Sequence, residues 1–220
     1  MSQVFVVGAA GKVGRHLVRQ LAERGHRVRA LHRRAEQADE LRADGAVPVC
    51  GDLQQLDAVG LAEMLAGSDV VVFSAGAGGK GGAEATRAID GHALQVTVDA
   101  ARRAGVQRFL LVSAFPEAGR GEPMSDTFEV YMQVKKQADV YLAASGLEWV
   151  ILRPGTLSDA EGSGLVTAGP AIAYGEVPRA DVAATLVALV ERPGITRAII
   201  ELTAGTTPVG DALHYLAAQS

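Results

Sequence analysis

A chain of 220 residues with 48% hydrophobic and 21% charged side chains is long enough to bury one sizeable α/β core, and its composition is that of a folded protein. A formal net charge of −4 lacks the basic footprint that phosphate-backbone binding requires, and no apolar run approaches the roughly 20 residues a bilayer demands, so neither nucleic acid nor membrane is expected as a partner. The lone Cys50 has no internal disulfide partner and the five histidines show no close pairing with it or each other, so a reducing, cytoplasmic setting without a structural metal is expected.

The first apolar run, residues 4–7, leads into GAAGKVG, which carries Gly8, Gly11 and Gly14. An amphipathic stretch follows, with Val13, Leu17, Val18 and Leu21 at helical spacing. Such a strand, bare turn and helix brings backbone N–H groups and the positive end of a helix dipole against a pyrophosphate. Gly8 suits the tight turn, Gly11 the close approach of the ligand, and Gly14 the packing of helix on strand, with Ala10, Lys12 and Val13 completing the loop. The glycine pattern alone is a weak signal; its place at the first βα junction is what gives it weight.

The second run, 28–31, ends in LHRRAEQ. An acidic residue here would take a ribose 2′-hydroxyl, but Arg33 and Arg34 offer positive charge suited to a 2′-phosphate, which favours NADP (NADPH) over NAD. One of the two is expected simply to cover the next helix, and His32 is expected at the surface. The third run, 47–50, ends in CGDL, where Asp52 is placed to accept from an adenine amino group and Leu53 to pack on the ring. After the fourth run, 70–73, comes SAGAGGKGG; it fails the P-loop pattern because Ser74 and Gly81 stand where Gly and Ser or Thr belong. It reads instead as a flexible loop in which Ser74, Ala75 and Gly76 pass the cofactor ribose and Lys80 is solvated.

Runs at 109–112, 150–152 and 199–202 complete the alternation of strands with helical stretches, and the GH, AGV and SGL junctions look like glycine helix ends. This order predicts a Rossmann-type α/β fold: a doubly wound parallel sheet in three layers with right-handed crossovers. The whole chain, 1–220, is expected to form one domain whose small C-terminal substrate region lies mainly within 155–220. Two less regular stretches, 118–126 and 159–175, are candidates for a lid or substrate wall beyond the strand ends. Asp181, in PRADVA, reads as a helix-start residue beside Arg179.

Ser113 follows the fifth run, and YMQVK places Tyr131 and Lys135 four apart, neighbours on a helix. An ammonium there is expected to lower the phenol toward a useful proton donor for a carbonyl receiving hydride, with Ser113 orienting the oxygen and Lys135 also holding the nicotinamide ribose.

From here the chain resembles the short-chain dehydrogenase/reductase superfamily, in its small atypical NAD(P)-binding, epimerase/dehydratase-like subgroup. The segments that carry the likeness span nearly the whole chain: GAAGKVG, GDL, SAGAGG, AARRAGVQRFLLVS, YMQVKKQAD, SGLEWVILRPG and PRADVAATLVALVE. The resemblance implies a dinucleotide cofactor, mostly NADP, and Ser113, Tyr131 and Lys135 as the active-site set. It implies Asp90 where better-known relatives carry asparagine, either in a proton relay or as a helix anchor, and Pro154 and Gly155 as the floor beside the nicotinamide. The first expectation is therefore an NADP-dependent reductase of a small carbonyl or quinone-like molecule, acting as monomer or homodimer. An epimerase/dehydratase of a small sugar-like substrate and a non-catalytic dinucleotide redox sensor are the alternatives.

Overall fold

The computed structural model describes residues 1–116, 118 and 125–217. Its strands are β1 (Gln3–Val7), β2 (Arg27–His32), β3 (Val47–Cys50), β4 (Val70–Phe73), β5 (Arg108–Val112), β6 (Glu148–Pro154), β7 (Thr156–Ser158), β8 (Leu165–Gly169), β9 (Glu176–Pro178), β10 (Ala198–Ala204) and β11 (Thr207–Pro208). The α-helices are α1 (Lys12–Glu23), α2 (Gln37–Ala43), α3 (Ala58–Leu65), α4 (Gly82–Thr86), α5 (Ala93–Arg103), α6 (Asp126–Ala143), α7 (Arg179–Val190) and α8 (Val209–Ala217), with a π-helical turn, Arg87–His92, joining α4 to α5. Every apolar run read from the sequence is a strand of the main sheet. Among the described residues, no helix is long and apolar enough to cross a membrane.

The nine-stranded sheet has the order β11-β8-β10-β6-β5-β4-β1-β2-β3. From β3 to β10 the pairs are parallel, and the order reverses between β1 and β4, the switch point at which open α/β sheets bind ligands. Strand alternation sorts the core into two layers. Val4, Val6, Val72, Leu110 and Leu152 meet α1 and α7 on one face, while Phe5, Val7, Phe73, Phe109 and Ile151 meet α3, α5 and α6 on the other. Each such side chain is fully buried, a gain of about 1.5–3 kcal/mol apiece, and a slip of one residue would exchange the two faces. The helix ends are as expected: Gly25 and Gly105 take φ of +78° and +73° after α1 and α5.

The 159–175 stretch is more regular than its sequence suggests. Its middle is β8, which runs antiparallel to β10 and extends the sheet, so the sheet is parallel only up to β10. One-sided burial hides this strand: Val166 is buried while Leu165 and Thr167 face outward, so no continuous apolar run marks it. Flanking it, β7 and β9 pair as a small separate ribbon. Of the other candidate lid, 118–126, residues 119–124 lie outside the described residues. Ser125 begins α6 by accepting from the Phe128 N–H at 3.3 Å.

Candidate functional site

The three glycines of the first turn answer to three different constraints. Gly8 has φ of +84°, and a Cβ on it would lie 2.5 Å from the backbone nitrogen of Ala75, so the segment leaving β4 crosses directly over it. A Cβ on Gly14 would come within 2.3 Å of the Gly8 carbonyl oxygen, which shows how tightly α1 is drawn against the loop. Gly11 caps α1 with extended backbone and faces open space except for the Gly8 oxygen at 3.2 Å. No side chain caps this helix and no acidic residue stands in its first turn, so its leading N–H groups, from Lys12 and the buried Val13 onward, remain available to an anion.

A cleft of about 430 Å³ opens there. Gly8, Ala10 and Gly11 line one side of it, and Ser74, Ala75 and Gly76 pass above. Arg33, Arg34, Asp52 and Leu53 line it as well. Lys80, expected to be merely solvated, is exposed but also lines this cleft. His32 is a correction: it is 5% exposed, not a surface residue, and its Nδ1–H donates to the Arg34 carbonyl at 3.0 Å. The ring sits at the end of a fully paired strand and folds the arginine turn back on itself. Gln37 Oε1 accepts from the backbone N–H groups of both arginines, at 3.2 and 3.0 Å. The Arg34 side chain pairs with Glu36 at 2.9 Å, whereas Arg33 has no carboxylate partner among the described residues. Asp52 accepts from the Gln54 N–H through one oxygen, leaving the other for a ligand. Lys12 is drawn away from the cleft: it pairs with Asp159, which Arg179 also grips at 2.6 Å.

The second cluster lies on the α6 face of the sheet, just beyond β5 and β6. The π turn carries Asp90, 3% exposed, whose carboxylate accepts from the Ala77 N–H at 2.9 Å and stands 3.5 Å from the Lys135 ammonium. Lys135, 4% exposed, also donates to the Val112 carbonyl at 2.9 Å. Asp90 therefore anchors the glycine loop after β4 to both helices, with room so small that a Cβ on Gly76 would meet its Oδ1 at 3.0 Å. Ser113 continues the ladder, its N–H donating to the Leu152 carbonyl at 2.7 Å. Strand alternation turns its side chain to the α6 face, where the buried Oγ has no hydrogen-bond partner among the described residues.

Tyr131 departs from expectation. Its phenol is pushed up to about 12, by burial first and then by the charges of Asp90 and Asp139. The lowering expected from Lys135 does not arise, because that ammonium is already engaged by a carboxylate and a carbonyl turned toward the sheet. Asp139 and the side chain of Arg153 were missed by sequence reading. Arg153 donates through Nε and Nη2 to Asp139 Oδ2 at 3.0 and 2.8 Å, and Asp139 Oδ1 is buried without a partner among the described residues. The legible signal was spacing, since residues 131, 135 and 139 fall on one helical face. Pro154 is the last residue of β6 and Gly155 follows, so tightly covered that a Cβ would lie 2.0 Å from the Gly175 oxygen. Asp181 has a structural role, though toward another segment: it accepts from the Gly164 and Ser163 N–H groups at 2.8 and 3.1 Å.

A parallel sheet with a bare helix N-terminus at its switch point, and a cleft of dinucleotide shape over both, defines a Rossmann protein built for a nicotinamide dinucleotide. Residues 8–193 match the model of the NAD(P)H-binding family. The chain is 35% identical over 215 residues to YhfK of Bacillus subtilis, described as an uncharacterized sugar epimerase, with 97% of this chain and 100% of that protein covered. Among solved structures, a putative NAD-dependent epimerase/dehydratase from Bacillus halodurans superposes with a TM-score of 0.90 at 33% identity, covering 98% and 100% of the two chains. ChuY of Escherichia coli, described as an anaerobillin reductase, superposes with a TM-score of 0.75 at 26% identity, covering 92% and 97%. The chain belongs to the NAD(P)H-binding family, in its epimerase/dehydratase-like branch of Rossmann proteins.

Proposed function

We propose that the protein is an NADPH-dependent reductase of a small carbonyl or quinone-like substrate. The observation that carries this reading is the placement, on one face of the sheet, of a phenol at Tyr131 and a buried hydroxyl at Ser113 that has no partner among the described residues, beside the Asp90–Lys135 pair that ties α6 to the loop lining the dinucleotide cleft. When bound, the reduced nicotinamide supplies the hydride. Ser113 donates a hydrogen bond to the carbonyl oxygen, and Tyr131 delivers its proton as that oxygen becomes an alkoxide. For a carbonyl reduced to an alcohol a raised phenol does not obstruct that transfer, because an alkoxide is more basic than a phenolate; a hydroquinone anion is not, and takes its proton from solvent. The Asp90–Lys135 pair keeps loop and helix in register, and Lys135 would hold the nicotinamide ribose. Arg33, with no carboxylate partner among the described residues, supports the 2′-phosphate form of the cofactor.

The test is NADPH oxidation with a panel of aldehydes, ketones and quinones, run beside Tyr131→Phe. The variant should lose about 100-fold or more in turnover while its NADPH affinity stays within about twofold. Tight NADPH binding by the wild type without turnover of any panel member would overturn the reading in favour of a redox sensor. Interconversion of sugar epimers without net cofactor oxidation would overturn it in favour of an epimerase.

A further inference from the structure

Of the protein's five phenylalanines and four tyrosines, two of each form two aromatic pairs on segments that follow β5 and β8. Phe128 and Tyr131 lie 5.9 Å apart on α6. Phe115 follows Ser113 by two residues, is 1% exposed, and meets the ring of Tyr174 edge-on at 5.3 Å and 66°. Tyr174 is 43% exposed, and its hydroxyl lies 2.5 Å from Thr156 Oγ1. This wall is sealed at both ends to the reacting strands. The Thr156 N–H donates to the Gly175 carbonyl at 2.9 Å, directly above Gly155, and the Ile172 N–H donates to buried Glu201 at 2.8 Å.

Three acidic groups nearby face inward. Asp90, Asp139 and Glu201 are at most 5% exposed, and each is engaged, by Ala77 and Lys135, by Arg153, and by Ile172 respectively. A hydroxyl-rich sugar needs several accessible planar polar groups, and this wall offers one exposed carboxylate, Glu176, the register partner of Thr156, beside a half-exposed aromatic ring and a pair of hydroxyls. Of the two protons in the Tyr174–Thr156 pair, one closes the pair and the other is free to donate outward.

We propose that Tyr174, backed by Phe115, is the specificity wall for a flat, conjugated carbonyl compound of the quinone or enone class, which stacks on the phenol ring while the Tyr174–Thr156 pair donates to its second, non-reacting oxygen. The inference rests on the reductase reading of the same site. In that reaction hydride from NADPH adds to the conjugated carbonyl compound and oxidised cofactor is left; an alkoxide so formed takes its proton from Tyr131, whereas a quinone gives a hydroquinone anion, less basic than the Tyr131 phenolate, which takes its proton from solvent.

Duroquinone is the probe, because its fully substituted ring cannot alkylate the exposed Cys50. Calorimetry on the full chain saturated with NADP⁺ should show duroquinone binding about tenfold or more tighter than hexanal or D-xylose. Tyr174→Leu should erase that preference and leave NADPH affinity unchanged, and in turnover it should raise KM for duroquinone about tenfold with kcat little altered. Tyr174→Phe, which keeps the ring, should lose only a fewfold. A folded Tyr174→Leu that binds duroquinone as the wild type does, or a wild type that prefers D-xylose, would overturn the proposal. Stacking-dependent binding without turnover would refute the reductase reading and leave the wall standing; turnover insensitive to Tyr174 would do the reverse.

Discussion

Replacing Arg33 with alanine separates the two nicotinamide cofactors on physical grounds that the structure makes unequal for the two arginines. A charge-assisted hydrogen bond to a phosphate contributes about 1.5–3 kcal/mol, and exposure of the Arg33 side chain to solvent and salt puts it at the lower end. Loss of about 1.5 kcal/mol raises the NADPH dissociation constant about tenfold. NADH, lacking the 2′-phosphate, should change by less than about twofold. Arg34 is already partly neutralised by Glu36 at 2.9 Å, so Arg34→Ala should weaken NADPH only about threefold. Titration of cofactor fluorescence at low and moderate salt measures all of these, and the Arg33 effect should shrink as salt rises. Equal weakening of NADPH and NADH by Arg33→Ala would refute the assignment, because a residue that merely shapes the cleft cannot tell the two apart.

Gly14→Val should destabilise the fold by about 1–3 kcal/mol, seen as a lower thermal midpoint, because its Cβ must displace the Gly8 carbonyl; an unchanged midpoint would contradict the close approach. Asp44 tests the electrostatics of the α1–α2 junction. Burial alone would raise its carboxyl, but hydrogen bonds from Arg15 and Arg19 win and hold it below the ordinary value. A folded-state value below the unfolded one adds stability above about pH 4 that disappears as pH falls through the folded value. Asp44→Asn should therefore cost about 2 kcal/mol in urea unfolding at pH 7 and progressively less as pH falls below about 4; a constant difference would show that packing, not charge, is at work.

Much of the site was legible because its chemistry is local. Gly8, Gly11 and Gly14 reveal themselves by spacing after a strand, and Tyr131 and Lys135 by helical period, since both patterns are properties of a few consecutive residues. The inner strands of the parallel sheet were equally visible, because a strand buried on both faces must be apolar throughout, and edge strand β3 was visible by its VPVC run although Val47 is exposed. β8 escaped notice for the converse reason: a strand with only alternate residues covered leaves no such run.

What the amino-acid order determined by itself, then, was the alternation of strands and helices and the bare turn at the switch point. Only tertiary packing decided the partners of the charged groups. Lys135 faces Asp90, 45 positions earlier in the chain, rather than activating its helical neighbour Tyr131. Arg153 reaches back to Asp139, Glu201 holds the Ile172 amide, and buried Arg108 donates to carbonyls at the end of α7 some 81 to 87 residues away. Such pairs carry no periodic mark, because a buried charge is matched to whichever partner the fold brings within reach, and the low dielectric there makes that match decide both stability and the protonation of Tyr131.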